Sequence, residues 1–321
     1  MAPPITLKVS SRIPKKPIKK LPTSVEVTDK TTVQDVKENL AKRAGGWDPN
    51  RFGLYEPEKR KLLKDRRALI SQLESIVSGK EILVKDLGPQ LSWTTVFLIE
   101  YSGPLFIHLL FPFVLRPYLY NLSLPYLPFS KSLPPLTTSQ LLASAMIVLH
   151  FAKREYETLF IHRFSLATMP MFNIFKNSAH YWILSGVWMA YWIYGPTSPT
   201  ALETPLTRNL DIVGLVLYLF GEISNFHTHV TLSKLRSPGG TERGIPKGYG
   251  FGLVTCPNYM FEMISWVGVL LVTRSGVAML PFIVTAFVQM YFWAVKKEKA
   301  LRAEFPKEYR RKRYAILPGI M

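Results

Sequence analysis

The sequence predicts a multi-span α-helical membrane protein, with about six transmembrane helices and a small α/β domain ahead of the first span. Two observations lead to this fold class. The charged residues are concentrated at the two ends of the chain, and apolar windows recur between those ends. A helical span requires roughly 20 apolar residues to cross a bilayer core, and several such windows follow residue 92.

The charge distribution separates two basic ends from an apolar middle. The 321 residues carry 40 Lys and Arg against 22 Asp and Glu, a formal net charge of +18. In a soluble protein this excess would indicate nucleic acid or another acidic partner. Here, however, 48% of the residues are hydrophobic, and residues 1–90 and 296–321 hold 28 of the 40 basic residues. The middle therefore has a membrane-type composition, and no nucleic-acid partner is predicted.

Residues 1–87 combine short strand patterns with one amphipathic helix. The stretches ITLKVS, VEVT, RFGLYEP and EILVKDLG are typical of strands, and Val33, Val36 and Leu40 recur at helical spacing. The order strand, strand, helix, strand, short segments, strand is that of a β-grasp, and it resembles a ubiquitin-like domain. We therefore predict a ubiquitin-like β-grasp domain over 1–87, with its lysines on a solvated face.

The membrane body is predicted over 88–321. Six apolar segments qualify as spans, at 93–115, 139–152, 179–195, 210–226, 259–273 and 276–295. With both termini in the cytosol, eight basic residues of the connecting segments fall on the cytosolic side and four on the other, as the positive-inside rule requires. The eight are Lys153, Arg154, Arg163, Lys176, Lys234, Arg236, Arg243 and Lys247, and the four are Arg116, Lys131, Arg208 and Arg274.

This topology places one modification motif on the non-cytosolic side. Asn121-Leu122-Ser123 is a glycosylation sequon. Its position close to a predicted span favours an unmodified Asn121.

Ionisable residues inside apolar segments are candidates for function, because an unpaired charge in a bilayer costs several kcal/mol. Glu100, Glu222 and Glu262 lie inside predicted spans. Asp211 lies near a predicted helix end, where an interfacial cap is the expected role. The pattern leaves Glu222 balanced between a functional and a structural role, and it favours function for Glu100 and Glu262.

The start of the fifth span concentrates polar side chains on one face. Pro257 suits the first turn of a helix. Asn258 and Glu262, four residues apart, then share a face, with Tyr259 on its flank. The segment 224–240, on the same predicted side, adds donors suited to phosphate and ribose, namely Asn225, His227, His229, Lys234 and Arg236. We predict a site for a soluble phosphorylated ligand whose reactive end projects into the bilayer.

Two other kinds of site are disfavoured. Gly248, Gly250 and Gly252 form G-x-G-x-G with no preceding strand, whereas the dinucleotide fingerprint is G-x-G-x-x-G after a strand, so a flexible loop is expected. The histidines are scattered, apart from His227 and His229. This scatter disfavours a metal-dependent desaturase or hydroxylase, and no metal site is predicted.

Four stretches of the chain carry a family resemblance. They are GPQLSW (88–93), VFLIEYSGP (96–104), the run from SNFHTHV to PNYMFEMISW (224–266) and EYRRKRYAILPGIM (308–321). Together they resemble the trans-2-enoyl-CoA reductases of very-long-chain fatty acid elongation, in the steroid 5α-reductase superfamily. The resemblance implies an endoplasmic reticulum membrane enzyme. Such an enzyme uses NADPH to reduce the 2,3 double bond of a long-chain enoyl-CoA beside the other elongation enzymes.

The resemblance also implies roles for individual residues. Tyr259 matches the proposed acid of the enoyl reductases, and Gln90 and Glu100 match residues that line the active site. The positions that contact NADPH in the superfamily correspond to Asn225, Arg236, Asn258 and Glu262.

Some positions depart from the steroid reductases. His229, an expected cofactor contact, replaces an acidic residue, and Phe151 stands where those enzymes carry a carbonyl-binding Tyr. Both departures fit the enoyl-CoA branch. Near the C-terminus, Glu298 and Leu301 replace a His and a Tyr found in relatives. The candidate substitutes are Lys297, Lys299 and Arg302, of which Lys297 is the expected cofactor contact.

Three alternatives stay open from the sequence. A steroid or polyprenol reductase of the same superfamily would share most of these residues. A membrane methyltransferase of the isoprenylcysteine type would use S-adenosylmethionine instead. A membrane-tethered ubiquitin-like adaptor would need only one span and no glutamate inside the membrane, which the sequence disfavours.

Overall fold

A computed structural model describes residues 3–121, 133–164, 166–237, 240–310, 312 and 314–319. The chain divides into two compact units. Unit 1 comprises Met1–Thr95, Phe164–Asn173 and Pro238–Glu242, and unit 2 comprises Val96–Arg163, Ile174–Ser237 and Arg243–Met321. The predicted sequon at Asn121 involves Leu122 and Ser123, which lie outside the described residues together with the Asn121 side chain.

Unit 1 contains, among its described residues, a mixed four-stranded sheet. The strands are β1 (Ile5–Ser11), β2 (Ser24–Val27), β3 (Phe52–Tyr55) and β4 (Glu81–Asp86), and they confirm the four strand predictions. Their order is β2-β1-β4-β3. The two central strands β1 and β4 run parallel, with Val9 opposite Ile82, and both outer pairs are antiparallel.

Helix α1 (Val33–Arg43) packs its apolar face into the core of unit 1. Thr32 and Asp35 form a reciprocal capping box that satisfies backbone donors at its start. Val33, Val36 and Leu40 are buried beside β-strand residues such as Leu54, as their helical spacing predicted. A short helix α2 (Glu74–Gly79) precedes β4, and single 3₁₀ turns occur at Pro49–Arg51 and Ile70–Gln72.

A second, two-stranded sheet in unit 1 was not predicted. Strand β5 (Gln90–Ser92) pairs antiparallel with β6 (Thr168–Pro170), and Leu91 lies opposite Met169. Each strand has only three residues and they are far apart in sequence, so no periodic pattern marks either one.

Among the described residues of unit 2 the regular elements are helices, apart from an isolated β-bridge between Val254 and Tyr314. Its helices are α3 (Trp93–Leu110, beginning in unit 1), α4 (Arg116–Asn121), α5 (Thr138–Tyr156), α6 (Asn173–Ser178), α7 (Met189–Tyr194), α8 (Pro205–Ser233), α9 (Pro257–Thr273) and α10 (Gly276–Glu304). Three π-helical segments adjoin these helices. Phe111–Leu115 links α3 to α4, Glu157–Ile161 extends α5, and Ala179–Trp188 links α6 to α7. A 3₁₀ turn lies at Pro199–Ala201. All six predicted apolar segments are therefore helical.

Three of the described helical segments are long and apolar enough to cross a membrane: Trp93–Tyr120, Pro205–Ser233 and Gly276–Glu304. One face of α8 supports this assignment, because Ile212, Val216 and Ile223 are exposed apolar residues without a protein neighbour to cover them. The protein is thus of the helical membrane type, and the count of six spans stays a prediction.

Glycines bring α8 and α9 into close contact. A Cβ atom at Gly214 would lie 2.6 Å from the carbonyl oxygen of Gly268, and one at Gly221 would lie 2.5 Å from the backbone nitrogen of Ser265. Small residues permit this approach of helix backbones in membranes. As a result, the polar residues near the C-terminal end of α8 face those in the first turns of α9.

The predicted cap role of Asp211 is wrong. The first residue of α8 is Pro205, and its cap is Thr204, whose hydroxyl accepts from Thr207 N. Asp211 lies inside the helix and forms a 2.8 Å ion pair with Arg274, while Ser139 donates to its other oxygen at 2.5 Å. A carboxylate inside an apolar helix needs such partners because burial of an unpaired charge is costly.

The buried ammonium of Lys37 makes the stability of unit 1 depend on pH. Burial, with the nearby charge of Arg66, lowers the pKa of Lys37 from 10.5 to about 8. Between these two values the folded state binds fewer protons than the unfolded state. The free energy of unfolding therefore rises as pH increases from 8 to 10.5, and the full cost of the buried charge is present below pH 8.

We expect Lys37→Met to raise the free energy of unfolding of unit 1 at neutral pH by about 2 kcal/mol, because the buried charge is removed. In this variant the free energy of unfolding should also increase much less between pH 8 and 10.5 than it does in the wild type. Pulse proteolysis of the full-length protein in urea measures both effects. Lys59→Met changes an exposed position of the same unit and serves as the control. Equal unfolding midpoints for Lys37→Met and wild type would contradict the prediction.

Candidate active site

Helix α9 begins where the sequence predicted a polar face. Pro257 is its first residue, so the missing backbone N–H leaves no intrahelical bond unmade. Asn258, Tyr259 and Glu262 then occupy the first two turns. Asn258 is buried and Tyr259 is half-buried.

The structure brings Asn225 of α8 to Asn258 and Glu262, whose shared helix face was predicted from their spacing. The Asn225 side-chain amide donates to the Asn258 carbonyl oxygen at 2.8 Å and to Glu262 Oε2 at 3.0 Å. The Asn258 side chain itself makes no hydrogen bond to the part of the chain that the structure describes, although only 5% of the residue is exposed. A buried amide with unused donors and acceptor is suited to a ligand that carries an amide of its own.

A second buried group surrounds Glu222 and was missed in the sequence. His150 Nδ1 lies 2.7 Å from Glu222 Oε1, and Lys153 Nζ lies 2.6 Å from Oε2. Ser265 donates to Glu222 Oε1 at 2.8 Å. Lys153 also donates to Asn225 Oδ1 at 2.7 Å, which joins this group to the Asn225 group.

Lys153 and Arg154 were predicted in a loop after the second span, and the loop assignment is wrong, whereas their cytosolic side stays a prediction. Both lie in the last turn of α5, and a π-helical segment continues the helix to Ile161. The available signal was their spacing, because Lys153 and Glu157 are four residues apart and His150 precedes Lys153 by three. Residues at these intervals share one face of a helix.

A third group is centred on Glu157, which is fully buried. Arg154 Nη1 donates to Glu157 Oε2, and His229 Nδ1 lies 3.0 Å from Oε1. The histidines are scattered along the sequence, but the ring centroid of His162 lies 4.9 Å from that of His229. The predicted cofactor contact His229 is therefore already engaged with a carboxylate.

Glu157, His162 and His229 have ligand atoms within 4.8 Å of one another, a spacing compatible with a metal ion. The Arg154 guanidinium opposes this role. It is bonded to Glu157 and lies 3.3 Å from His229 Nδ1, so a permanent cation already neutralises the carboxylate. The group is better explained as a buried ion pair with two histidines.

The three groups together nearly balance their charge. Three carboxylates (Glu157, Glu222 and Glu262) face two permanent cations (Lys153 and Arg154), with His150 between two of the carboxylates. Its Nε2 lies 3.4 Å from Glu262 Oε1. Such pairing is what allows charged side chains to be buried among apolar helices.

Tyr259 has a cationic partner. Lys297 Nζ of α10 donates to the Tyr259 hydroxyl oxygen at 3.0 Å and lies 4.6 Å from the centre of its ring. The next residue, Glu298, accepts from Thr255 Oγ1 at 2.6 Å and from the Tyr309 hydroxyl. These bonds connect α10 to the segment immediately before α9.

The remaining predicted residues occupy separate environments. Glu100 of α3 is 1% exposed, and its Oε1 has no hydrogen-bond partner in the described chain. Arg236 Nη1 donates to the Arg163 carbonyl oxygen at 2.5 Å. Gln90 belongs to unit 1, where its amide donates to the Leu87 carbonyl oxygen at 2.9 Å.

The glycine-spaced loop is not a dinucleotide motif, in agreement with the sequence analysis, since residues 240–247 before it form no strand. It is more than a flexible connection, however. Gly248 and Gly250 adopt positive φ angles of 100° and 79°. A Cβ atom at Gly250 would lie 2.5 Å from Pro257 Cβ. The glycine therefore lets the turn pack against the start of α9.

Comparisons with known proteins decide the family. Residues 167–321 match the family model described as 3-oxo-5-alpha-steroid 4-dehydrogenase. A very-long-chain enoyl-CoA reductase from Dictyostelium discoideum is 34% identical over 322 residues, covering 99% of this chain and all of that protein. The chain belongs to the very-long-chain enoyl-CoA reductase family.

Two further relatives cover three quarters or more of this chain. A putative enoyl reductase from Schizosaccharomyces pombe is 45% identical over 240 residues, or 75% of this chain and 76% of that protein. A probable very-long-chain enoyl-CoA reductase from Caenorhabditis elegans is 34% identical over 305 residues, or 92% of this chain and 93% of that protein. The membership thus extends well beyond the steroid-type region at 167–321.

In this enoyl-CoA reductase family member, Glu222 has a testable structural role. We expect Glu222→Ala to lower the free energy of unfolding by about 3 kcal/mol or more, because it leaves Lys153, whose side chain is only 17% exposed, without its nearest carboxylate. Glu222→Gln should lower the free energy of unfolding by less than Glu222→Ala, because the glutamine keeps a hydrogen-bond acceptor for Ser265. Thermal unfolding of the detergent-solubilised protein measures both. Glu308→Ala, at an exposed position, is the control. Equal thermal unfolding midpoints for all three variants would contradict the prediction.

Proposed function

We propose that the protein catalyses NADPH-dependent reduction of the 2,3 double bond of very-long-chain trans-2-enoyl-CoA, the last step of a fatty acid elongation cycle. The observation that carries the proposal is the start of α9. Its first two turns carry both a tyrosine hydroxyl paired with a lysine and an amide and carboxylate group, in a chain similar over its whole length to an enoyl-CoA reductase.

The residues at this site fit a nicotinamide cofactor. The Asn258 side chain is buried with its hydrogen-bonding capacity unused by the described residues, and Glu262 Oε1 has only His150 at 3.4 Å. Asn225, Asn258 and Glu262 would hold the amide end of NADPH. The basic side chains His229, Arg236 and Lys297 are the candidates for its phosphates, and this assignment rests on the family resemblance.

NADPH, when bound, supplies the hydride that adds to the β-carbon of the enoyl thioester. Negative charge then develops on the thioester oxygen, and the α-carbon requires a proton. In the proposed mechanism the Tyr259 hydroxyl donates that proton, since a positioned phenol can act as a general acid. Glu100 and Gln90 are proposed to orient Tyr259 or the thioester. The Oε1 atom of Glu100, which has no hydrogen-bond partner among the described residues, supports the role of Glu100.

We further propose that residues 1–87 form a ubiquitin-like β-grasp domain and residues 88–321 the catalytic membrane domain. The sheet order β2-β1-β4-β3, with parallel central strands and one packed helix, supports the first part. Six spans with both termini in the cytosol, location in the endoplasmic reticulum membrane and association with other elongation enzymes complete the proposal. The long helices of unit 2 support the membrane location.

A steroid or polyprenol reductase is the second candidate, because the family model for 167–321 is of the steroid type. Against it, the position expected to bind a steroid carbonyl is Phe151, which is fully buried and has no hydroxyl. Purified protein should oxidise NADPH with a long-chain enoyl-CoA and not with a 3-oxo-Δ4-steroid, as followed by NADPH absorbance. If the protein oxidised NADPH with the steroid and not with the enoyl-CoA, the proposed function would be wrong and the second candidate would be correct.

Tyr259→Phe tests the proton donor. We expect a loss of turnover on the order of 10²-fold or more, because general acid catalysis contributes at least this much. NADPH binding, followed by quenching of protein fluorescence, should be retained. Tyr291→Phe on α10 removes a hydroxyl that makes no hydrogen bond to the described residues and should keep wild-type activity. Near-normal turnover by Tyr259→Phe would remove Tyr259 from the mechanism.

A further inference from the structure

We propose that Lys297 is a positioning residue for proton donation: its ammonium group orients the Tyr259 hydroxyl and stabilises the charge that forms on that oxygen during turnover. This inference rests on the proposed function. It differs from the role that the family resemblance suggested for Lys297, which was contact with the cofactor.

The geometry fixes the direction of the hydrogen bond. Lys297 Nζ lies 3.0 Å from Tyr259 Oη. An ammonium group has three donors and no acceptor, so the phenolic oxygen must accept this bond. The phenolic hydrogen is then directed away from Lys297 and is available to another acceptor. Because Tyr259 is half-buried and Lys297 exposed, a substrate can reach the pair.

The charge of Lys297 is not neutralised by another residue that the structure describes, since no salt bridge involves it. Its neighbour Glu298 forms hydrogen bonds with other residues instead. The two oxygens of Glu298 accept from Thr255 Oγ1 at 2.6 Å, from the Tyr309 hydroxyl and from Lys312 N at 3.3 Å. The ammonium group therefore acts mainly on the phenol that it contacts, also through the face of the ring at 4.6 Å.

The chain holds the two partners in a fixed frame. The Thr255 bond ties α10 to the segment before α9, and two backbone bonds tie that segment to the C-terminal tail: Thr255 N to Tyr314 O at 3.2 Å and Cys256 N to Ala315 O at 3.0 Å. Ile316 of the tail is fully buried in the same apolar cluster as Met260. Preorganised charges of this kind cost no rearrangement when the reaction occurs.

The proposed step is balanced in atoms and charge. As the α-carbon of the reduced substrate forms its C–H bond, the O–H bond of Tyr259 breaks and the phenolic oxygen becomes negative. The adjacent ammonium group stabilises this anion relative to the neutral phenol. A proton from solvent water restores the phenol before the next turnover, and Lys297 keeps its own protons throughout.

The test compares Lys297→Met, which removes the charge at similar length, with Lys297→Arg, which keeps it. We expect Lys297→Met to lower kcat on the order of tenfold to a hundredfold, in the range of a single electrostatic donor, with KM for NADPH nearly unchanged. The solvent deuterium isotope effect on kcat should increase, because proton donation becomes slower. Lys297→Arg should retain clearly more activity. Lys296→Met, the neighbouring exposed lysine of α10, is the control and should resemble wild type.

Two results overturn the inference alone: a wild-type kcat in Lys297→Met, or a raised KM for NADPH with kcat retained, which would make Lys297 a cofactor contact. NADPH binding, measured by fluorescence, verifies that each variant is folded. If Lys297→Met loses NADPH binding while Lys297→Arg keeps wild-type binding and kcat, Lys297 is again a cofactor contact and the inference fails. Failure of the wild-type protein to reduce an enoyl-CoA would instead overturn the proposed function, and this inference with it.

Discussion

The close approach of α8 and α9 is the constraint on which the site depends. Gly214 and Gly268 face each other's carbonyl oxygens, and Gly221 faces the backbone of Ser265. A larger side chain at these positions would collide with the facing backbone and force the two helices apart. Asn225 would then no longer reach both the Asn258 carbonyl oxygen and Glu262. The same glycines therefore allow both the contact between the α8 and α9 backbones and the hydrogen bonds of Asn225.

The second constraint is electrostatic. The buried carboxylates Glu157 and Glu222 are tolerated in a helical membrane unit because Lys153 and Arg154 at the end of α5 reach them. A buried pair is not in itself strong evidence of stability. Its presence here, with a nearly complete balance of charge, is consistent with a polar network retained for a ligand. Loss of one partner would leave an uncompensated charge where water cannot replace it.

The frame around Tyr259 comes from parts of the chain that are distant in sequence. Helix α10 supplies Lys297 and Glu298, and the C-terminal tail supplies Tyr309 and the backbone partners of Thr255 and Cys256. The glycine turn before α9 packs on Pro257 from the other direction. The first turn of α9 is therefore held on several sides, which suits a site that must align a proton donor.

The sequence by itself determined the strands and helix of residues 1–87, the six helical segments of the membrane body and the shared face of Asn258 and Glu262. Each of these follows from local periodicity, which the backbone geometry imposes. Only the tertiary structure decided that Asp211 pairs with Arg274, that Lys153 joins Glu222 to Asn225, and that Lys297 contacts Tyr259. These pairs are 38 to 72 residues apart. No spacing rule links them, because packing between helices, and not the order of residues along one helix, brings their side chains together.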